Sequence, residues 1–175
     1  MARVFLGLGS NLGNRKENLR EAVQMMSAFT EIVMVSSAYE TEPVGNEEQP
    51  DFLNCAVEIK TSLPPRKLLA ELKAVEDKLG RVRKEKWGPR TIDIDIIFYD
   101  NLVIDSDELN IPHPGSHLRR FVLEPLSEIS PDFIHPALDV PLSQLLDKLE
   151  DSKSVRKAGS PSTLFPQPLT AYKQK

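Results

Sequence analysis

The stretch Lys86-Trp87-Gly88-Pro89-Arg90-Thr91-Ile92-Asp93-Ile94-Asp95-Ile96-Ile97 places two carboxylates on a predicted strand, directly after a run of cations. Side chains alternate across a strand, so odd and even positions face opposite sides of the sheet. One face carries Thr91, Asp93 and Asp95, and the other carries Ile92, Ile94 and Ile96. We expect the isoleucine face to pack in the core and the acidic face to stay open for chemistry.

The acidic pair has the chemistry of a magnesium site. Asp93 and Asp95 should lie about 7 Å apart, at a rise of roughly 3.3 Å per residue. Mg²⁺ prefers oxygen ligands and shares its shell with phosphate oxygens, whose remaining charge suits nearby cations. The preceding cations are Arg81, Arg83, Lys84, Lys86 and Arg90. An ordinary solvated strand face is the alternative, but Asp is disfavoured in strands and two adjacent carboxylates repel. We therefore predict metal binding.

Composition limits the classes of protein that this chain can represent. The 175 residues predict a single domain with a substantial core. Charged residues make up 27% of the chain and the formal net charge is -4, which argues against nucleic-acid and membrane surfaces. The first residues lack the apolar run of a signal peptide, and no segment reaches the roughly 20 apolar residues of a membrane span. Cys55 is the lone cysteine and fits a reducing compartment. We expect a cytoplasmic monomer, with a dimer left open.

Hydrophobic periodicity predicts the element order β-α-β-β-α-β, followed by additions. Strands are expected near residues 4–9, 31–41, 52–61 and 91–97, and helices near 15–29, 65–79, 118–129 and 141–149. This order is that of the ferredoxin-like α+β fold, an antiparallel sheet with helices on one face and the other face free for a ligand. Residues 1–150 would form the catalytic domain, and 151–175 an irregular tail.

Four segments of the chain resemble the 6-hydroxymethyl-7,8-dihydropterin pyrophosphokinase family. They are residues 9–13, 39–45 with 49–54, 80–97, and 111–126. The third segment is the most specific, because it joins a tryptophan, a Gly-Pro-Arg turn and the paired aspartates in fixed register. The resemblance implies an enzyme of folate biosynthesis that transfers pyrophosphate from ATP to 6-hydroxymethyl-7,8-dihydropterin and releases AMP. It also implies Mg²⁺, with two ions expected.

The resemblance assigns roles to individual residues. Catalytic roles would fall to Arg83, Arg90, Asp95 and His113. ATP would be bound by Glu76, Arg83, Trp87, Arg90, Ile96, His113 and Arg119. The pterin would contact Thr41, Pro43, Val44, Phe52, Asn54, Trp87, Asp95 and Phe121. The metal ligands would be Asp93 and Asp95. Within these sets, Phe52 and Phe121 would sandwich the ring, Ile96 would line the adenine pocket, and Asp95 is a candidate general base only.

Two features qualify this picture of the site. Residues 43–51 and 81–90 form long loops that would act as lids and become ordered when both substrates are bound.

Two positions depart from the family pattern. Tyrosine is frequent where this chain has Phe52, and a basic residue commonly follows His-Pro where this chain has Gly115.

Other functions fit parts of the sequence less well. The spacing Gly7-x-Gly9-x-x-x-Gly13 is one residue too long for a dinucleotide fingerprint. His113 and His117 lack the surrounding Cys or Glu residues typical of zinc sites, and His135 is interpreted as structural. A sugar-nucleotide enzyme would share the Asp-x-Asp metal site without needing the aromatic pair. An RNA-binding ferredoxin-like module would stack bases on aromatic residues of its central strands, a pattern that residues 4–6 and 92–97 lack.

Overall fold

Six antiparallel strands form one sheet in the part of the chain that the structure describes. This computed structural model describes residues 1–44, 48–80 and 89–165. The strands are β1 Ala2–Ser10, β2 Glu31–Val35, β3 Ala38–Thr41, β4 Phe52–Thr61, β5 Asp93–Tyr99 and β6 Val155–Gly159. Their order is β5-β1-β4-β3-β6, and β2 pairs with β4 beside β3. The α+β fold with helices packed on an antiparallel sheet is therefore confirmed.

Two helices cover one face of this sheet. They are α1 Arg15–Met26 and α2 Pro65–Lys78. Asn14 caps α1 by accepting a hydrogen bond from the Glu17 N–H at 3.2 Å, and Pro65 occupies the first turn of α2, where its missing N–H costs nothing. The core on this face includes Leu19, Val23, Leu72, Ile92, Ile94 and Ile96. The predicted alternation along β5 is thus confirmed. Within the described ranges, no helix is long and apolar enough to cross a membrane.

The opposite face is partly covered, and here the prediction of a free face was wrong. Two more helices, α3 Arg120–Ile129 and α4 Leu142–Asp147, pack on it after a 3₁₀ turn at Ser116–Leu118. The buried side chains of this second core include Phe5, Phe98, Leu123, Leu126 and Leu142. The two helices cover only one end of the face, so the other end remains available for a ligand.

The predicted strand at residues 31–41 is two strands, β2 and β3, separated at Ser36 and Ser37. The backbone N–H and the hydroxyl of Ser37 both donate to Glu128 Oε1 on α3, at 3.0 and 2.8 Å. Ser36 remains hydrogen-bonded to β4, because its N–H donates to the Ala56 carbonyl at 2.9 Å. A helix that lies far away in the sequence therefore interrupts the strand.

The segment after residue 150 was predicted to be an irregular tail, but part of it forms regular structure. Strand β6 pairs with β3, which places Val155 opposite Thr41. A short helix, α5 Pro161–Leu164, follows, and the side chains of Leu164 and Phe165 are buried in the core beside α1. Residues 166–175 lie outside the described part of the chain.

Candidate active site

A cleft of about 400 Å³ opens at the uncovered end of the second face. Its floor contains Gly7 and Gly9 of β1. Gly9 lies between Asn54 of β4 and Asp93 of β5, and Gly7 lies between Ala56 and Asp95. Because the central strand contributes no side chains here, the flanking side chains border a depression rather than a flat surface. The volume falls in the range of small-molecule sites.

One end of the cleft is acidic with cations beside it. Asp93 and Asp95 both line it, as the strand alternation predicted. The Arg90 guanidinium forms an ion pair with Asp93, and His113 Nε2 lies 3.9 Å from Asp95 Oδ2. Arg119 lines the same cleft from the start of α3. The side chain of Asp95 is 45% exposed against 17% for Asp93, so Asp95 is the more open to a ligand.

His113 is held as a largely neutral imidazole at neutral pH. Burial lowers its pKa, and the positive charge of Arg119 lowers it further. A hydrogen bond with the Pro114 backbone and the charge of Asp93 act in the opposite direction but are outweighed. The backbone of His113 is fixed by donation from its N–H to the Ile97 carbonyl at 3.0 Å. A neutral imidazole N–H in this position can donate to a phosphate oxygen.

The acidic end fits Mg²⁺ that arrives with a polyphosphate. Two carboxylates with an open side leave coordination positions for phosphate oxygens and water, which is the usual way that proteins hold this ion. Among the described residues, no group of three or more His, Cys, Asp and Glu side chains is placed to hold a metal.

The other end of the cleft combines aromatic and amide groups. Phe52 on β4 and Phe121 on α3 line it, together with Thr41, Val44 and Asn54. The Asn54 side-chain amide donates to Thr41 Oγ1 and is buried, which fixes its orientation. Aromatic faces beside an oriented amide suit a flat, polar heterocycle. The structure thus brings together most of the side chains that the sequence assigned to a pterin site.

Three residues that were expected to contact a ligand do not line this cleft. Glu76 is 2% exposed, and its carboxylate accepts a hydrogen bond from the Ile94 N–H at 2.7 Å on the outer edge of β5. The side chain of Ile96 is buried with α1 and α2, so a contact with adenine would have to use its backbone at the sheet edge. Pro43 is buried between two lining residues, Glu42 and Val44.

Several predictions fall on residues that the structure does not describe. Arg83 and Trp87, expected at the phosphates and over the pterin, lie outside the described ranges. The lid prediction concerns loops that include residues 45–47 and 81–88, which also lie outside them. These assignments stay predictions.

Sequence reasoning missed Asn11, which joins the two loops at their described ends. Its N–H donates to the Arg90 carbonyl at 3.1 Å, and its Oδ1 accepts from the Arg90 N–H at 2.8 Å. Its Nδ2 donates to Gln49 Oε1 at 3.1 Å and to the Pro50 carbonyl at 3.0 Å. In the sequence, Asn11 stands in a turn of glycines and polar residues that does not reveal these distant partners, and the cap of α1 is Asn14. Glu42 and Gln49 also line the cleft without having been predicted.

The chain matches the model of the family described as 7,8-dihydro-6-hydroxymethylpterin-pyrophosphokinase, HPPK, over residues 5–131. The chain belongs to this family. It is therefore a pyrophosphokinase, a diphosphotransferase of folate biosynthesis. Members of the family use ATP and typically Mg²⁺, in agreement with the acidic end of the cleft.

Curated relatives support the assignment of this pyrophosphokinase over most of its length. The protein named 2-amino-4-hydroxy-6-hydroxymethyldihydropteridine pyrophosphokinase from Aquifex aeolicus is 45% identical over 144 residues, which cover 82% of this chain and 90% of the relative. Proteins of the same name from Bacillus subtilis and Haemophilus influenzae are 49% and 39% identical, covering 72% and 89% of this chain and 77% and 98% of the relatives.

Solved structures agree on the fold. A Plasmodium falciparum HPPK-DHPS triple mutant, solved with STZ-DHP, matches the pyrophosphokinase with a TM-score of 0.70 and 18% identity. The match covers 84% of this chain but 43% of the solved chain, so this chain spans less than half the length of that protein. At this identity the likeness establishes the architecture alone.

Proposed function

We propose that the cleft binds Mg-ATP at its acidic end and 6-hydroxymethyl-7,8-dihydropterin at its aromatic end, and that pyrophosphate passes from the first to the second. The observation that carries this proposal is that both sets of side chains line one continuous cleft. Asp93 and Asp95 stand at one end, and Phe52, Asn54 and Phe121 at the other. The names of the curated relatives support this pair of substrates.

Asp93 and Asp95 would hold two Mg²⁺ ions through their carboxylate oxygens. When bound, the metal would neutralise charge on the pyrophosphate and on the departing AMP. The ion pair between Arg90 and Asp93 keeps a guanidinium beside the phosphate positions before ATP arrives. Both carboxylates thus have roles that depend on their shared face of β5.

Charge at the transferring group would be met from two sides of the cleft. Arg90 approaches from the loop before β5, and Arg119 and His113 approach from the connection that leads to α3. Bidentate guanidinium groups suit phosphate oxygens, and a neutral His113 can donate a hydrogen bond. Arg83 is expected to join them. These fixed donors would stabilise negative charge as AMP leaves, without reorganisation during the reaction.

The reaction itself needs little acid–base chemistry. The hydroxymethyl oxygen would attack the β-phosphorus in line with the bond to the α,β-bridging oxygen, and that bond would break to release AMP. The hydroxyl proton would leave to Asp95, as the candidate base, or to water. Most of the rate enhancement would come from positioning and charge neutralisation.

The pterin ring would stack between Phe52 and Phe121. Asn54 would read its polar edge, together with backbone groups from Thr41 to Val44. Trp87 would close over the ring.

AMP release from Mg-ATP, measured with and without 6-hydroxymethyl-7,8-dihydropterin, tests this function, with mass detection of the pterin product. Pterin-dependent AMP and a pyrophosphorylated pterin are the expected result. ADP in place of AMP would mean ordinary kinase chemistry. Turnover of a UDP- or GDP-sugar would favour the sugar-nucleotide alternative, and no turnover by a folded protein would favour a binding module.

A further inference from the structure

Residues Asp151 to Lys153 bridge the two walls of the pterin end from outside the cleft. They follow α4 and precede β6, and they lie beyond residues 5–131, over which the family model matches. Neither Asp151 nor Lys153 lines the cleft, and both are partly buried. Their contacts reach one residue on each wall.

The first contact holds the start of α3. Asp151 Oδ2 accepts a hydrogen bond from the N–H of Arg120, the first residue of the helix, at 2.9 Å. Arg119, which precedes the helix, gives it no side-chain cap. Asp151 therefore satisfies one of the unpaired N–H groups of the first turn and supplies negative charge where the helix dipole favours it. Arg119 and Phe121, on either side of the capped residue, both line the cleft.

The second contact holds the opposite wall. Lys153 Nζ donates to the Pro43 carbonyl at 3.1 Å, and β6 then pairs with β3 so that Val155 lies opposite Thr41. The Lys153 N–H donates to Asp151 Oδ1 at 3.0 Å, which links the two contacts within three residues. The backbone on either side of Pro43 belongs to cleft-lining residues.

We propose that Lys153 is a positioning residue for the pterin, acting through the Pro43 carbonyl, and that Asp151 holds the facing wall formed by the start of α3. This inference rests on the proposed function, which places the pterin edge against the backbone at residues 41–44. The hydrogen bond from Lys153 fixes the orientation of the peptide that follows Pro43. It thereby fixes the direction in which the neighbouring backbone groups face the ligand.

The test uses Lys153→Met in the full chain, which keeps the aliphatic stem and removes the ammonium. Steady-state AMP release gives separate KM values for the pterin and for ATP, and Lys153→Arg tests conservative rescue. We expect the pterin KM to rise roughly three- to tenfold, the size of one typical hydrogen bond that acts on the ligand through the backbone. The ATP KM and Tm should stay at wild-type values, and Lys153→Arg should recover most of the loss.

Two further variants complete the experiment. Lys148→Met, at the exposed end of α4, is the matched control and should behave as wild type in all readouts. Asp151→Ala should raise the pterin KM and also lower Tm by roughly 2–4 °C, because it removes a helix cap.

The outcomes separate this inference from the function on which it rests. Wild-type turnover with an unchanged pterin KM in Lys153→Met would overturn the inference alone. A parallel rise in the KM values of both substrates would overturn it too, because general loosening would then explain the effect. Absence of pterin-dependent AMP release from the wild-type protein would overturn the proposed function and this inference with it.

Discussion

One methyl group added at Gly9 should disable the pterin end of the cleft while the protein still folds. A Cβ at this position would lie 2.6 Å from Asn54 Oδ1 and 3.5 Å from Phe52 Cδ1. The first distance is too short for any real carbon–oxygen contact, so the Asn54 amide must move. That amide is buried and donates to Thr41 Oγ1, which means that it cannot move without losing its present partner.

The expected changes in the free energy of unfolding and in the pterin KM follow from these contacts. An unpaired buried amide costs about 1–3 kcal/mol, and forcing an extra methyl into a packed site costs about 1–3 kcal/mol more. Replacing glycine by alanine returns about 0.4–1 kcal/mol through the entropy of the unfolded chain. We therefore expect Gly9→Ala to lower the free energy of unfolding by about 1–5.5 kcal/mol. For the pterin, losing the hydrogen bonds of an oriented amide should raise KM roughly 10- to 100-fold.

The assay is steady-state AMP release at saturating Mg-ATP, with thermal unfolding measured on the same samples. Gly159→Ala is a matched control, because Gly159 lies on β6 outside the cleft. Its added Cβ would also make a short contact, 3.1 Å from Thr163 Oγ1. A double-mutant cycle with Asn54→Ala locates the effect. If Gly9→Ala acts through Asn54, the two substitutions will raise the pterin KM by much less together than the sum of their separate effects. A wild-type pterin KM in Gly9→Ala, or full additivity, would refute the reasoning.

Three further predictions concern charge. Asp95→Ala should abolish turnover while near- and far-UV circular dichroism stay at wild-type values, since its side chain is partly exposed and its proposed role is metal binding; retained activity would contradict the two-metal proposal. Burial lowers the pKa of His113 in the folded protein below its ordinary value of about 6.5. As the pH falls, the unfolded state therefore binds more protons than the folded state, and the free energy of unfolding should decrease from pH 7.5 to 5.5. Urea titrations should show a smaller decrease in the free energy of unfolding for His113→Gln than for the wild type. An equal decrease would mean that His113 is not the source of this pH dependence. Burial acts to raise the pKa of Glu128, but hydrogen bonds from Tyr39 and Ser37 outweigh it and lower the pKa. Glu128→Gln should therefore cost about 1–3 kcal/mol at pH 7, with a difference from wild type that shrinks as the carboxylate protonates in acid; a pH-independent difference would contradict this origin.

Local pattern was sufficient where one strand or helix determines its own burial. The alternation in β5 predicted both the buried isoleucines and the shared face of Asp93 and Asp95, because side-chain direction in a strand depends only on position. The predicted starts of α1 and α2 at residues 15 and 65 were correct for similarly local reasons, because Asn14 caps one helix and Pro65 fits the first turn of the other. The aromatic end of the cleft could be assigned only through family resemblance, since a single phenylalanine in a strand is usually a core residue.

The errors occurred where a distant partner decides the structure. The break between β2 and β3 depends on Glu128, 91 residues beyond Ser37, and nothing near Ser37 in the sequence announces it. Strand β6 forms because β3 offers it an edge, although the sequence Val-Arg-Lys-Ala-Gly has no strong strand pattern of its own. The role of Asn11 was hidden for the same reason, because its partners come from two other loops.

The register of the sheet offers a physical reason why a transfer that needs little acid–base chemistry can be catalysed here. Asn54, Gly9 and Asp93 lie side by side on β4, β1 and β5, so two strand spacings of about 4.8 Å separate the amide of the proposed pterin site from the proposed metal ligand. An antiparallel sheet buried on its other face holds that separation fixed, and a slip of one residue would turn both aspartates into the core. In-line transfer depends on the distance between the two substrates. In the proposed function, the hydrogen bonds that align β1 with β4 and β5 therefore set the distance between the two substrates.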